Sequence, residues 1–343
     1  MSSGIRGSIL VAAAAFASFV VAAVPRALAQ DTIVKVDGSS TVYPITEAVA
    51  EDFQKANKGV KVTVGVSGSG GGFKKFVRGE LDITNSSRPI TQSEADDAAK
   101  NGIEYIELPI AFDALTVVIN KQNTWATSMT VDELKKLWEP ASDKDSKRVT
   151  KWSDIRAGWP DSKIELYGPG TDSGTFDYFT EAIVGKAKSS RGDYTASEDD
   201  NTLVKGVEGN KNALGYFGYA YYISHQKRLK AVDIQWDKNP QAKTPVGPSK
   251  ETVVNGSYAP LSRPLFLYVN KKSLLSQPHV KMFTEYYLKN AAKLSEEVRY
   301  IPLPAKAYEF GQKRLDTLKT GSVFLGHEHV GLNIEDVLAR EEK

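Results

Sequence analysis

The sequence predicts an α/β fold in which a mostly parallel sheet is flanked by helices. Three observations predict this class: short strands alternate with amphipathic helices, stretches rich in Ser, Thr and Gly follow several strands, and two long apolar strands enclose the middle of the chain. In parallel sheets the carboxyl ends of the strands share one edge, and α/β proteins bind ligands there. We therefore expect the polar stretches to meet at one site.

The N-terminus has the three parts of a secretory signal peptide. Arg6 is positively charged, an apolar run extends from Ile9 to Val24, and Ala27-Leu28-Ala29 is the small-x-small pattern that signal peptidase recognises. We predict that residues 1–29 are a signal peptide, cleaved after Ala29. The alternative is an uncleaved anchor, but the apolar run of about 16 residues is shorter than the roughly 20 of a membrane span.

The composition favours an exported protein with a local ligand site. The sequence has no cysteine, which excludes disulfides and the lipidated cysteine of a lipoprotein, and a bacterial periplasm is the expected compartment. Without the two arginines of the signal peptide, the 44 basic residues become 42, equal to the 42 acidic ones. Nucleic-acid-binding proteins usually carry a basic excess, so we predict no nucleic-acid partner.

Three strand–loop–helix units follow the signal peptide. Their predicted strands are Thr32–Val36, Lys61–Val66 and Leu81–Thr84. Helical spacing of apolar residues predicts one helix after each strand. The first ends near Ala56, the second begins at Phe73, and the third spans Gln92–Lys100. The polar stretches between strand and helix are Gly38–Pro44, Ser67–Gly72 and Asn85–Ile90, and all three are predicted as loops.

Two long apolar strands, Ala111–Asn120 and Pro264–Asn270, are predicted in the centre of the sheet. In the simplest arrangement, the chain crosses to a second lobe at the first of these strands and returns to the first lobe at the second strand. Lobe I is then predicted as residues 30–113 plus 265–343, and lobe II as residues 114–264. Lobe II contains predicted helices at Thr130–Trp138 and Thr202–Val207 and a strand at Ala213–Tyr219, and two amphipathic helices, near 280–290 and 305–320, complete lobe I.

The stretch Tyr167–Phe176 is predicted to be a loop that leads into a helix. A strand precedes it at Ile164–Leu166, and large apolar residues at helical spacing follow it. Three glycines and several short polar side chains would expose the N–H groups of a helix N-terminus, where anions bind. An ordinary capped turn is the alternative, because Ser and Thr are common N-caps.

Five motifs in sequence order resemble the periplasmic phosphate-binding proteins of ABC-type phosphate importers. They are Gly38–Pro44, Ser67–Gly72, Asp82–Arg88, Thr171–Thr175 and Asn212–Tyr216. The resemblance covers essentially the whole mature chain. It implies a two-lobed periplasmic-binding-protein fold of type II that closes on one phosphate ion in the cleft and delivers it to a membrane permease. It also implies a monomer without a cofactor, metal or catalytic residue.

The resemblance implies that short polar side chains and backbone N–H groups from both lobes bind the phosphate. The residues that match, together with the charged pair discussed next, are Ser39, Ser40, Thr41, Val42, Ser69, Gly70, Gly71, Ser87, Arg88, Asp172, Ser173, Gly174 and Thr175.

Two positions depart from the best-known pattern of the family. Ser87 stands where the family has an Asp, and Pro169-Gly170 stands where it has an Arg. We hypothesise that Arg88 supplies the cation and that Asp172 accepts the proton of phosphate, which sulfate lacks. Two alternatives stay open: Asp172 as an N-cap or turn acid beside Ser173, and Arg88 paired with Asp82 or another surface acid.

Two other functions compete with phosphate binding. The first is binding of another tetrahedral oxyanion, such as sulfate, molybdate or arsenate. The second is a secreted phosphate-ester hydrolase with Ser173 as nucleophile, but this Ser lies one position too late for G-x-S-x-G and no His or metal-pair motif accompanies it. His327-Glu328-His329 is a weak metal motif, and we interpret it as part of a solvated tail.

Overall fold

The structure is a computed structural model that describes residues 1, 32–140, 148–325 and 330–331. Apart from Met1, the predicted signal peptide and its cleavage site lie outside the described residues, and so does His327–His329. No helix within the described ranges is long and apolar enough to span a bilayer.

Strands and helices alternate in the first third of the chain, and less regularly after it. The strands are β1 (Thr32–Gly38), β2 (Val60–Val64), β3 (Ile83–Ser86), β4 (Tyr105–Asn120), β5 (Ser128–Thr130), β6 (Glu165–Gly168), β7 (Thr195–Ala196), β8 (Ala213–Gly218), β9 (Leu229–Ala231), β10 (Asp233–Gln235) and β11 (Ser262–Asn270). The α-helices are α1 (Tyr43–Ala56), α2 (Gly68–Phe76), α3 (Gln92–Lys100), α4 (Val131–Trp138), α5 (Trp152–Ile155), α6 (Gly174–Phe179), α7 (Asp200–Gly209), α8 (Tyr219–His225), α9 (Lys250–Val254), α10 (Lys271–Ser276), α11 (Pro278–Glu297) and α12 (Ala305–Asp316). A π-helical turn, Thr180–Val184, continues α6.

Most strands belong to one mixed sheet. Its order is β2-β1-β3-β11-β4-β8-β6-β7, and β9 pairs with β4. Pairing is parallel among β1, β2 and β3 and among β6, β7 and β8, whereas β4 and β11 pair antiparallel with their neighbours. Strands β5 and β10 form a separate parallel pair. The predicted α/β class with a mostly parallel, helix-flanked sheet is confirmed, and the antiparallel pairs all involve β4 or β11.

Strand β4 lies at the centre of the sheet and changes its neighbour along its length. Residues 105–114 pair with β11, whereas Leu115–Ile119 pair with β8. All 16 residues of β4 are buried, as expected of an apolar strand that is covered on both faces. The predicted lobe boundaries lie close to this change of neighbour and to the start of β11. The residues after Gln30 pack as one unit, however, so the division into two lobes stays a prediction.

The helices form where apolar residues recur at helical spacing and where caps satisfy the first N–H groups. Helix α1 buries Ile45, Val49 and Phe53, each four residues apart, against the sheet and α11. Helix α3 begins with a capping box in which the Thr91 hydroxyl and the Glu94 carboxylate each accept an N–H of the other's backbone. The structure gives α3 the bounds that the sequence predicts.

The glycine-rich stretch Ser67–Gly72 is mostly helical, and the loop prediction for it is wrong. Helix α2 begins at Gly68 rather than Phe73, so the glycines form its first turn. The low helix propensity of glycine favoured a loop. At Gly68, however, φ is +75° and an added Cβ would lie 2.4 Å from the carbonyl oxygen of Asp172. Close packing of two backbones therefore requires glycine at this helix end.

Candidate functional site

The loop between β1 and α1 places the first group of predicted residues, 39–42, at the carboxyl end of β1. The Ser39 N–H donates to the carbonyl oxygen of Asn85 on β3, at 3.1 Å. The Val42 N–H donates to Ser39 Oγ at 3.4 Å, and Val42 is the N-cap of α1. All four residues are buried, so any group that they bind is shielded from water.

Two tyrosines hold the carbonyl groups of this loop. Tyr221 Oη donates to the carbonyl oxygen of Ser40 at 3.3 Å, and Tyr300 Oη donates to that of Thr41. Because both carbonyl groups accept a hydrogen bond from a tyrosine, these two bonds hold the orientation of the loop. The sequence did not single out either tyrosine for this position.

The first turn of α2 and the end of β3 bring the second and third groups together. Ser69 Oγ lies 3.3 Å from Ser87 Oγ and accepts the Ser87 N–H at 3.1 Å. Gly70 N–H donates to the carbonyl oxygen of Asp172 at 2.8 Å, so this turn contacts the stretch before α6 directly. Gly71 lies in the same turn.

The N-terminus of α6 completes the cluster. Ser173 is its N-cap, with Oγ accepting the Thr175 N–H at 3.1 Å. Thr175 Oγ1 lies 3.0 Å from Thr41 Oγ1, which joins the loop after β1 to α6. An added Cβ on Gly174 would lie 2.4 Å from Ser69 Oγ, so glycine is required for this approach. The four predicted stretches therefore meet at one buried place.

Arg263 is a charged residue of this cluster that the sequence analysis missed. It lies on β11 directly opposite Asp113 of β4, and both side chains are fully buried. Arg263 Nη2 donates to Asp113 Oδ2 at 3.0 Å and to Thr175 Oγ1 at 2.8 Å, and it lies 3.5 Å from Thr41 Oγ1. Its Nη1 donates to the carbonyl oxygen of Gly174 at 3.2 Å. A buried cation therefore lies against the hydroxyls of two predicted groups.

Asp200, the first residue of α7, adds a second buried carboxyl. Its Oδ2 accepts a hydrogen bond from Ser40 Oγ at 3.3 Å. Burial and, secondly, the nearby carboxylate of Asp113 raise the pKa of Asp200 to about 7, while Arg263 opposes the shift. Near neutral pH this carboxyl is therefore partly protonated, and it can donate as well as accept a hydrogen bond.

The two charged residues proposed from the sequence occupy different surroundings. The Asp172 side chain is 41% exposed, and its carboxylate forms an ion pair with Lys74 Nζ at 2.7 Å. Arg88 is buried, but its guanidinium is bound by Asp177 and Glu94 rather than by Asp82. Their roles as proton acceptor and phosphate donor stay predictions.

No catalytic arrangement around Ser173 is present in the described residues. Its Oγ caps α6, and the ring of His225 contacts the carbonyl oxygen of Tyr221 instead. The same residues contain no cluster of His, Cys, Asp or Glu that could hold a metal ion. The predicted lack of catalytic and metal-binding residues stays a prediction for the whole chain.

The chain is similar to known proteins over most of its length. The sequence model of the PBP superfamily domain matches residues 21–291. Protein SphX of Synechococcus elongatus is 49% identical over 336 residues, which cover 98% of this chain and 96% of SphX. Phosphate-binding protein PstS of Staphylococcus saprophyticus is 38% identical over 287 residues, covering 83% of this chain and 85% of PstS. The crystal structure of a possible phosphate binding protein from Planctomyces limnophilus is 50% identical, with a TM-score of 0.62, and covers 84% of this chain and 99% of that one.

Proposed function

This chain belongs to the PBP superfamily, and we propose that it binds one inorganic phosphate ion and delivers it to the membrane permease of an ABC-type phosphate importer. Two relatives support phosphate as the ligand: PstS of S. saprophyticus is named a phosphate-binding protein, and the P. limnophilus structure is titled a possible one. The permease as partner rests on the resemblance of the five motifs.

The observation that carries the proposal is the position of Arg263. Its fully buried guanidinium contacts the hydroxyls of Thr41 and Thr175, which belong to different polar stretches. A buried guanidinium and hydroxyl donors suit an oxyanion, because their N–H and O–H groups donate hydrogen bonds to its oxygens.

The burial of the cluster supports a small inorganic anion as the ligand. The residues that carry its hydroxyl groups are at most 5% exposed, and they are Ser39, Ser40, Thr41, Ser69, Ser87, Ser173 and Thr175. A phosphate ester would have to place its organic group among these packed side chains. Inorganic phosphate has only oxygens to present to the donors and no organic group to accommodate.

We propose that the two sides of the cluster separate to admit the ion and close around it. The hinge would lie where β4 changes neighbour between Ala114 and Leu115 and where β11 begins at Ser262. Residues 30–113 and 265–343 would move as one lobe and residues 114–264 as the other. Hinges of this kind need only a few residues at element ends.

Two carboxylates are candidates for the acceptor of the phosphate proton. Asp172 was proposed from the sequence, but its carboxylate pairs with Lys74 at the surface. Asp113 is the buried carboxylate next to Arg263. We propose that one of these two discriminates phosphate from sulfate, since a carboxylate in contact with the ion accepts the proton of phosphate but repels an anion that has no proton.

Export places the protein where such a ligand would be captured. We propose that residues 1–29 direct it to the periplasm and are removed after Ala29. We further propose that the mature protein is a monomer that requires no cofactor and catalyses no reaction.

Isothermal titration calorimetry with phosphate, sulfate, molybdate and arsenate tests this function. We expect one phosphate per chain and sulfate affinity lower by about 10⁴-fold, the discrimination that unpaired buried polar groups provide. If Asp172→Asn leaves both affinities unchanged, the acceptor is another carboxyl. Equal binding of sulfate would contradict phosphate as the ligand, and phosphate release from an aryl phosphate would favour the hydrolase.

A further inference from the structure

The guanidinium of Arg88 is almost fully occupied by protein groups. Its Nε donates to Asp177 Oδ2 at 2.7 Å, and Nη1 and Nη2 each donate to one carboxylate oxygen of Glu94 at 2.8 Å. Nη1 also donates to the carbonyl oxygen of Pro89 at 3.0 Å. Arginine has five N–H donors, so one remains. The cation and its two carboxylates together carry a net charge of −1, which disfavours contact with an anion.

The ion pair joins two different parts of the fold. Arg88 follows β3, and Glu94 lies nearby on α3. Asp177 lies on α6, the helix that carries Ser173 and Thr175 at its N-terminus. The side chains of Arg88 and Asp177 are only 5% and 4% exposed, so solvent screens their attraction weakly. In the proposed two-lobed arrangement, this pair crosses from one lobe to the other.

Arg88 has other partners that hold its side chain in place, whereas Asp177 relies on the contact with Arg88. Glu94 binds Arg88 through both carboxylate oxygens, and the guanidinium lies 5.4 Å from the ring centroid of Phe73. Arg88 is therefore held in place without Asp177, and little side-chain freedom is lost when the two meet. Asp177 Oδ1, in contrast, is buried without a hydrogen-bond partner in the described residues. The charge of Asp177 in its buried position therefore relies on Arg88.

We propose that Arg88 and Asp177 form a latch that holds the two lobes closed, with or without a bound anion, and that neither side chain contacts the anion. This inference rests on the proposed function, because it assumes that the lobes open and close around the ligand. It assigns Arg88 a positioning role in place of the phosphate-donor role inferred from the sequence.

The latch has a defined effect on binding kinetics. An anion that enters the open form leaves again only when the lobes reopen, so a weaker latch raises the dissociation rate. Association requires the open form, so a weaker latch also raises the open fraction of the anion-free protein and speeds association. Removing the latch should therefore lower the closed-to-open ratio by about tenfold, and raise the dissociation rate and the association rate of phosphate together.

Distance measurement between two spin labels tests the latch directly. Lys55 on α1 and Lys205 on α7 are exposed, and the chain has no cysteine, so Lys55→Cys and Lys205→Cys give specific labelling. Without added anion, we expect a short-distance population that Asp177→Asn reduces about tenfold relative to the longer one. Equal distance distributions in the two proteins would overturn the latch. This readout holds even if the protein binds no phosphate, in which case the proposed function alone fails.

A double-mutant cycle with phosphate separates a latch from an anion contact. If Arg88 acts only through Asp177, Arg88→Met should add little further increase in the phosphate dissociation rate to that of Asp177→Asn, and little loss of affinity. If it contacts the anion, Arg88→Met will lower affinity by a similar factor in both backgrounds, and the proposal is wrong. Lys250→Gln is the matched control, since it removes an exposed ion pair with Glu296 that also joins the two proposed lobes, and it should change the dissociation rate less than about threefold.

Discussion

Replacement of Arg263 by Met is expected to lower phosphate affinity by at least about 100-fold and the free energy of unfolding by about 3–5 kcal/mol. The affinity falls because the buried cation at the Thr41 and Thr175 hydroxyls is lost. The stability falls because Asp113, which is fully buried, loses the guanidinium that balances its charge. Titration calorimetry and urea unfolding measure the two effects separately.

The variant Arg263→Met/Asp113→Leu is the control for folding. Replacing both members of a buried ion pair by apolar residues of similar size is often neutral for stability. We therefore expect the double variant to regain most of the lost free energy of unfolding, while phosphate binding stays weak. Recovery of phosphate affinity together with stability would show that Arg263 has a structural role only.

The contribution of Asp200 to the stability of the ligand-free protein is expected to become unfavourable as the pH rises from about 4 to about 7. Burial and Asp113 raise the folded-state pKa of Asp200 from 3.8 to about 7. Below pH 4 the carboxyl is protonated in both the folded and unfolded states. Between these values the unfolded chain loses the proton first, so folding is progressively disfavoured, and above pH 7 the full penalty persists.

Asp200→Asn, which mimics the protonated carboxyl, should therefore stabilise the protein at pH 8 and have no effect at pH 4. A gain of a few kcal/mol is the upper limit, since each unit of pKa shift corresponds to about 1.4 kcal/mol. Asp132→Asn, at an exposed position, should change stability by less than about 0.5 kcal/mol. An equal effect of Asp200→Asn at both pH values, by urea unfolding, would contradict the assignment.

Much of the site could be predicted because its polar stretches follow strands. Short strands followed by Ser, Thr and Gly define where the chain turns, and parallel pairing of β1 with β3 brings Ser39 and Ser87 to one edge. The order of the elements also predicted that the stretch with Thr175 faces this edge. The individual contacts, such as that of Thr175 Oγ1 with Thr41 Oγ1, depend on how the two ends of the sheet pack and could not be predicted.

The charged centre was missed because it comes from the two apolar strands. Asp113 and Arg263 interrupt β4 and β11, which otherwise read as continuous buried segments. A charged residue in a buried strand needs a partner of opposite charge. The presence of an acid and a base in the two apolar strands was therefore the signal from which a buried ion pair could have been predicted. Nothing in the sequence shows that the two residues face each other, because the register of β4 and β11 is set across about 150 residues of intervening chain.

Arg88 shows a second limit of local patterns. Its neighbours Ser86 and Ser87 predicted an anion donor, and Ser87 does lie in the cluster. The carboxylates of Glu94 and Asp177 that bind Arg88 come from two helices, one of them distant in sequence. Competition among several acids for one cation is decided by packing, which the sequence motif does not contain.

A crystal structure of the protein grown with phosphate tests the central claim most directly. We predict one phosphate ion in the buried cluster, with oxygens about 2.7–3.2 Å from Arg263 Nη2 and from the hydroxyls of Thr41 and Thr175. Arg88 should remain bound to Asp177 and Glu94. A phosphate ion bound to Arg88, or located only at the surface, would contradict the account.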